Sequence, residues 1–178
     1  MALLVAQSQP DIPDYNHEIH TVIVDNIGQS NQTDFTTFIS NPLENVVQAR
    51  LVSATLTTTG AVAQKAIHIG IEELRTHFSQ QTQAEINFGG DGDPSTDTKN
   101  HLNGVFGTII GQHVALGPSS ATRVLLFRDD YPILQCYHNP IRNLSRLTFN
   151  IDQHDGTSAT LGDSVFVFRI TCRKKNLA

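Results

Sequence analysis

The chain has 178 residues, of which 39% are hydrophobic and 16% charged, with a formal net charge of -5. That length suits one domain with enough core to need neither a disulfide framework nor a structural metal, and the apolar fraction excludes a disordered chain. The acidic balance argues against a protein that grips a nucleic-acid backbone, which requires Lys and Arg massed on one face, so direct nucleic-acid contact is not expected.

Residues 1–16 carry Pro10 and Pro13 among polar residues and show no period, so they read as a flexible N-terminal arm. Ala2 to Ala6 form a brief apolar patch without a basic stretch before it, too short for a signal peptide. No window approaches a membrane span, and a soluble chain made in the cytosol is expected. On that reading the sequons at Asn31-Gln32-Thr33 and Asn143-Leu144-Ser145 stay unmodified. One folded domain is expected over 17–173, followed by a short basic tail, 174–178. The basic cluster Arg173, Lys174 and Lys175 most simply solvates the chain end.

Along the folded part the apolar residues recur with period two, the pattern of half-buried strands. Val22 and Val24 share one face of a first strand. Val47, Ala49 and Leu51 form an inward set, and then the phase switches to Val52, Ala54 and Leu56, which predicts a bulge or bend in a long strand. Ile67, Ile69 and Ile71 should face inward, with His68, Gly70 and Glu72 outward. Long helices are nearly excluded; the best helical candidate is short, around Glu72 to Gln80, with a strand plus a turn as the alternative. Further strands are predicted at 105–110, 124–128, 133–137, around Leu147, Phe149 and Ile151, and at Phe166, Phe168, Ile170 and Cys172. Between them, turn chemistry occurs at Gly60, Gly89 to Pro94, Gly117-Pro118, Asn139-Pro140 and Asp155-Gly156. About eight antiparallel strands without βαβ alternation predict an all-β fold, a single jelly-roll sandwich. An immunoglobulin-like sandwich fits less well, because Trp is absent and Cys136 and Cys172 lack the required spacing. Both cysteines read as small buried hydrophobes in a reducing compartment.

Candidate chemistry is thin. His17 and His20 lie three apart and so point to opposite faces of a strand. His68 with Glu72 is a fragment of a cupin metal motif whose second histidine is missing. Asp91, Asp93, Ser95 and Asp97 imitate the front of a calcium loop, but Leu102 stands where the closing glutamate belongs and Pro94 breaks the spacing. There is no Gly-x-Ser-x-Gly elbow and no Walker-type glycine loop. Asp129-Asp130, beside Tyr131-Pro132, look like a turn. Arg123, Phe127, Arg128 and Tyr131 are the nearest approach to a basic-aromatic nucleic-acid surface, and read more simply as core aromatics with rim arginines. No catalytic, cofactor-binding or metal residues are assigned, and an enzyme is not expected.

Two stretches resemble the single jelly-roll capsid proteins of large eukaryotic DNA viruses, virophages and related mobile elements. The first runs from Pro42 and Leu43 through Asn45, Val46 and Leu51 to Ala54, and is similar to the family's passage from an early strand into a long one. The second begins at Asn139 and Pro140, continues through Leu144 to Ile151, and reaches Asp155-Gly156 and the strand 166–170. It resembles the family's closing pattern of proline-led turn, strand, hairpin-like loop and last apolar strand. The resemblance implies a penton subunit: a homopentamer at the five-fold vertices of an icosahedral shell, in contact with neighbouring major and minor capsid proteins, located in the virion and free of cofactors. Another minor capsid or cement protein, a trimeric jelly-roll ligand and a cupin-like metalloenzyme are the rival readings.

Overall fold

The computed structural model describes residues 16–59, 66–75, 105–110, 113–115, 122–153 and 158–174. Residues 1–15 of the N-terminal arm, the calcium-like loop, the turns at Gly60, 89–94 and 117–118, and Asp155-Gly156 lie outside these residues. Within them the chain is all-β. Seven strands form: β1 (His17–Asp25), β2 (Asp34–Thr59), β3 (Ile67–Ile71), β4 (Val105–Ile109), β5 (His113–Ala115), β6 (Thr122–Gln153) and β7 (Leu161–Arg173), with one 3₁₀ turn at Glu72–Leu74. Every pairing is antiparallel, in the order β1-β7-β2-β6-β3-β4 with β5 beside β6.

Two of these strands are far longer than one sheet requires, 26 residues for β2 and 32 for β6. Each serves both layers of a sandwich. In the first layer the order is β1, β7, residues 46–59 of β2, residues 122–136 of β6, then β5. In the second it is residues 34–44 of β2, residues 141–153 of β6, β3, then β4. The halves of β2 and β6, counted separately with β1, β3, β4 and β7, give the eight segments of a single jelly roll, and the three-residue β5 adds a short ninth at the edge of the first layer. The hydrogen-bonded path does not close on itself.

The bends between layers follow from a repeated mismatch in the β2–β6 ladder. Four residues of β6 (129–132) stand opposite one of β2 between the pairs Ser53↔Arg128 and Leu51↔Ile133, and four more (137–140) stand opposite one between Gln48↔Cys136 and Val46↔Ile141. Then the excess changes sides, with 39–42 of β2 opposite one residue of β6. Pro132, Pro140 and Pro42 each fall in one of these unpaired runs, where the missing N–H interrupts no ladder bond. Asn45 sits beside the last bend with φ 53, a left-handed conformation that asparagine tolerates better than most residues.

These geometries correct two expectations. Asn139-Pro140 and Tyr131-Pro132 are bulges within one strand rather than turns between two. Val46 is the buried residue at the start of the inward set, with Val47 displaced to half-burial by the register shift there. The phase switch after Leu51 is borne out by the register shift between Leu51 and Ser53.

The core lies between the layers. Phe149 of the second layer meets Phe166 and Phe168 of the first, with ring centroids at 5.3 and 6.0 Å, and Phe106 meets Phe168 edge-on at 5.8 Å. Phe35 stacks on its cross-strand partner Phe149 at 4.8 Å. Each buried aromatic contributes about 1.5–3 kcal/mol through burial, and ring geometry adds about 1 kcal/mol per pair.

Candidate functional site

The family-like stretches are brought together by the fold. Leu43 pairs with Leu144, Glu44 with Asn143 and Val46 with Ile141, so the motif carrying Pro42, Asn45, Leu51 and Ala54 and the motif carrying Asn139 and Pro140 form one ladder through the bend. Leu43, Val46, Leu51, Ala54 and Leu144 are buried, which makes them part of the core.

The other candidates do not converge. His68 is buried rather than outward, with its Nδ1 2.9 Å from the Thr108 hydroxyl, because β4 and β6 flank β3 on both sides. Glu72 is exposed and pairs with Arg75 at 3.5 Å, so no His68–Glu72 site forms. His20 approaches Glu18 at 3.6 Å. Among the described residues no group of three or more His, Cys, Asp or Glu is placed to hold a metal. Cys172 is buried, and its thiol is pushed up by burial and, secondarily, by Glu18. Cys136 is exposed, which corrects its reading as a buried hydrophobe; its sulfur accepts a bond from Gln48 Nε2 at 3.7 Å.

Two tyrosines project from the β6 bulges and grip the second layer. The Tyr131 hydroxyl accepts from the Ile110 amide at 2.6 Å and donates toward the Thr108 carbonyl at 3.1 Å. Tyr131 also packs edge-on against buried Phe127. Tyr137 donates to the Leu74 carbonyl at 3.2 Å. Burial raises its phenol well above the usual range, and Cys136 nearby adds to the effect. Glu73, in the 3₁₀ turn, accepts from the Thr148 amide at 2.7 Å, the Thr148 hydroxyl at 3.0 Å and Arg146 Nε at 3.0 Å, clamping the turn to β6.

What remains accessible is a surface suited to contact. Along β1 and the start of β2, Ile19, Ile23 and Phe38 are 62%, 67% and 77% exposed. Between them runs a groove of about 320 Å³, lined by residues 20–24 of β1 and 37–41 of β2 together with Leu43. Both walls are sheet edges: among the described residues β1 pairs only with β7, and residues 34–38 of β2 pair only with β6. Sequence periodicity could not find this feature, because it assigns faces along a strand and says nothing of which edges are left without a neighbour.

No helix among the described residues is long and apolar enough to cross a membrane. No family model matches the chain, and no curated protein matches it in sequence.

Proposed function

We propose that the chain is a structural capsid subunit, a penton protein whose homopentamers occupy the five-fold vertices of an icosahedral shell, alongside neighbouring major and minor capsid proteins. The reading rests on the resemblance of the two stretches described above, and one structural observation supports it: those stretches pair through the Leu43↔Leu144 and Val46↔Ile141 ladder at the bend of a single jelly roll. In this role the work of the protein is assembly. Side edges and connecting loops pack against neighbouring copies in a head-to-tail ring, which uses two different surfaces on each subunit. Apolar burial drives such contacts at roughly 25 cal/mol per Å² before the costs of association. The exposed Ile19, Ile23 and Phe38 supply part of that area.

Native mass spectrometry of the purified chain tests the proposal, with negative-stain imaging of any oligomer. A five-membered ring is the expected result. A stable trimer refutes it in favour of a ligand-type binding module, and stoichiometric bound metal refutes it in favour of a cupin-like enzyme.

A further inference from the structure

The two strand edges beside the groove differ in what they admit. Along β2 the unpaired run 39–42 with Pro42 interrupts the edge, and bulges and prolines of this kind keep another strand from adding. β1 carries neither device. Its nine residues, His-Glu-Ile-His-Thr-Val-Ile-Val-Asp, pair with β7 in one unbroken register, contain no Pro or Gly, and hold no Lys, Arg, Asp or Glu between Glu18 and Asp25. Among the described residues β1 has no neighbour on its other side. His20, Val22 and Val24 lie opposite buried Ile170, Phe168 and Phe166 and so face inward. The outer face therefore carries His17, Ile19, Thr21, Ile23 and Asp25, with Ile19, Thr21 and Ile23 exposed. Read from either end, that face runs ionisable, apolar, hydroxyl, apolar, ionisable, with the base at one end and the acid at the other.

We infer that β1 pairs along this edge with β1 of a second copy, antiparallel about a two-fold axis at Thr21, which extends the first layers of the two copies into one sheet. Residues directly opposite in an antiparallel pair lie on the same face, so the axis must pass through a residue and not between two. Centred on Thr21, all nine residues find a partner. Ile19 then meets the partner's Ile23 twice over, Thr21 meets its own copy, His17 comes opposite the partner's Asp25, and no pair sets like charge against like. Centred on His20, the register sets Ile19 against Thr21 and His17 against Ile23; centred on Val22, it sets Ile19 against the Asp25 carboxylate. Each of these also leaves two residues of the strand overhanging. Opposite-charge and apolar cross-strand pairs are the stabilising ones, so the Thr21 register wins on both length and chemistry. Nine residues a side are fewer than the roughly 20–30 of a standard interface, which makes the pairing weak and concentration-dependent. A two-fold contact is isologous and closes on itself, so it goes beyond the head-to-tail ring and does not rest on it.

Cysteine cross-linking of the full chain tests both the partner and the register, in a Cys136→Ser background that removes the exposed native thiol. Thr21→Cys should link to itself under mild oxidation at about 100 µM, because directly opposite residues place their Cβ atoms about 5 Å apart. Ile19→Cys and Ile23→Cys, at equally exposed positions, should each form at least about tenfold less dimer alone and should link to each other when the two variants are mixed. Adding Ile23→Lys to the Thr21→Cys chain should lower its yield by about tenfold, since Lys is a natural guard of strand edges. Unchanged circular dichroism in each variant controls for folding. Equal yields from the three single cysteine variants overturn the inference, as does a folded Thr21→Cys chain that forms no covalent dimer. Self-linking at Thr21→Cys together with cross-linking in the mixture supports it. The linked pair is read on a denaturing gel whether or not five-membered rings form, so failure here and failure of the ring reading are separate results.

Discussion

The close approach of the two layers makes a sharp prediction at Gly107. A β-carbon added there would lie 2.2 Å from Cγ2 of Ile133, 3.4 Å from its Cβ and 3.5 Å from its Cδ1. The Cγ2 methyl of a β-branched residue is fixed by a single stiff torsion and cannot swing aside like the end of a long side chain. Gly107→Ala should therefore destabilise the fold by about 2 kcal/mol through overpacking. Ile133→Ala alone should cost about 3 kcal/mol, because it empties a nearly fully buried site. In the double variant the new methyl occupies space that Ile133 has vacated. The combined loss should be about 3 kcal/mol instead of the additive value of about 5, a coupling of about 2 kcal/mol. Urea unfolding followed by far-ultraviolet circular dichroism measures this. With a slope of about 2 kcal/mol per M, Gly107→Ala lowers the midpoint by about 1 M. Strict additivity would refute the reasoning, because it would mean that Gly107 and Ile133 do not face each other across the sandwich.

Asn26 is fully buried. Its Oδ1 accepts the Ser164 amide at 2.7 Å, and its Nδ2 donates to the Gln32 and Gly162 carbonyls at 2.9 and 3.2 Å. Asn26→Ala leaves the buried Ser164 N–H without this partner and should cost about 3 kcal/mol in urea unfolding; a loss under about 1 kcal/mol would show that water replaces the side chain. Tyr137 has a folded pKa raised above the ordinary value of about 10, so its contribution is full below pH ~10 and is lost as pH climbs through the folded pKa. Wild type should therefore lose stability more steeply than Tyr137→Phe between about pH 10 and pH 12, and parallel curves would contradict the burial argument. Pro140→Ala, in an unpaired run, should change stability by under about 1 kcal/mol, whereas Ala49→Pro, at a buried position paired on both sides with Gln135 and Ile170, should cost about 3 kcal/mol or more. Comparable losses at both sites would undo the assignment of prolines to the ladder interruptions.

Much of the sandwich was legible because period two survives wherever a strand has one wet face. The phase switch between Leu51 and Ala54 located a real bend, since a bulge moves every later side chain to the other face. Pro132 and Pro140 misled for a definite reason: a proline reports only that its position makes no ladder bond from nitrogen, and a bulge satisfies that condition as well as a turn does. His68 was read outward from its alternation with Ile67 and Ile69, but β4 and β6 on either side bury it. Asn26 gave no signal because its partners Gly162 and Ser164 are 136 and 138 residues away. The groove was hidden for the same kind of reason, since an unpaired edge is a property of the whole sheet order.

The way β1 is held connects the fold to its accessible edge. The central strands are locked by the long β2–β6 and β2–β7 ladders, but among the described residues β1 is paired along one side alone. Its two ends are fastened separately. At one end Asn26 bonds to β7 through both backbone and side chain, and Gly28, with φ 77, lets the following loop turn. At the other end the Lys174 amide donates to the Asn16 carbonyl at 2.9 Å. Among the described residues, the middle of the strand, 19–24, has no neighbour along its outer side between the two pins. An edge strand pinned at both ends keeps its geometry between the pins. It follows that loosening a pin should free the strand locally without opening the core. In Asn26→Ala, exchange over residues 19–24 should rise before the core strands open, as a local event whose free energy lies below that of global unfolding.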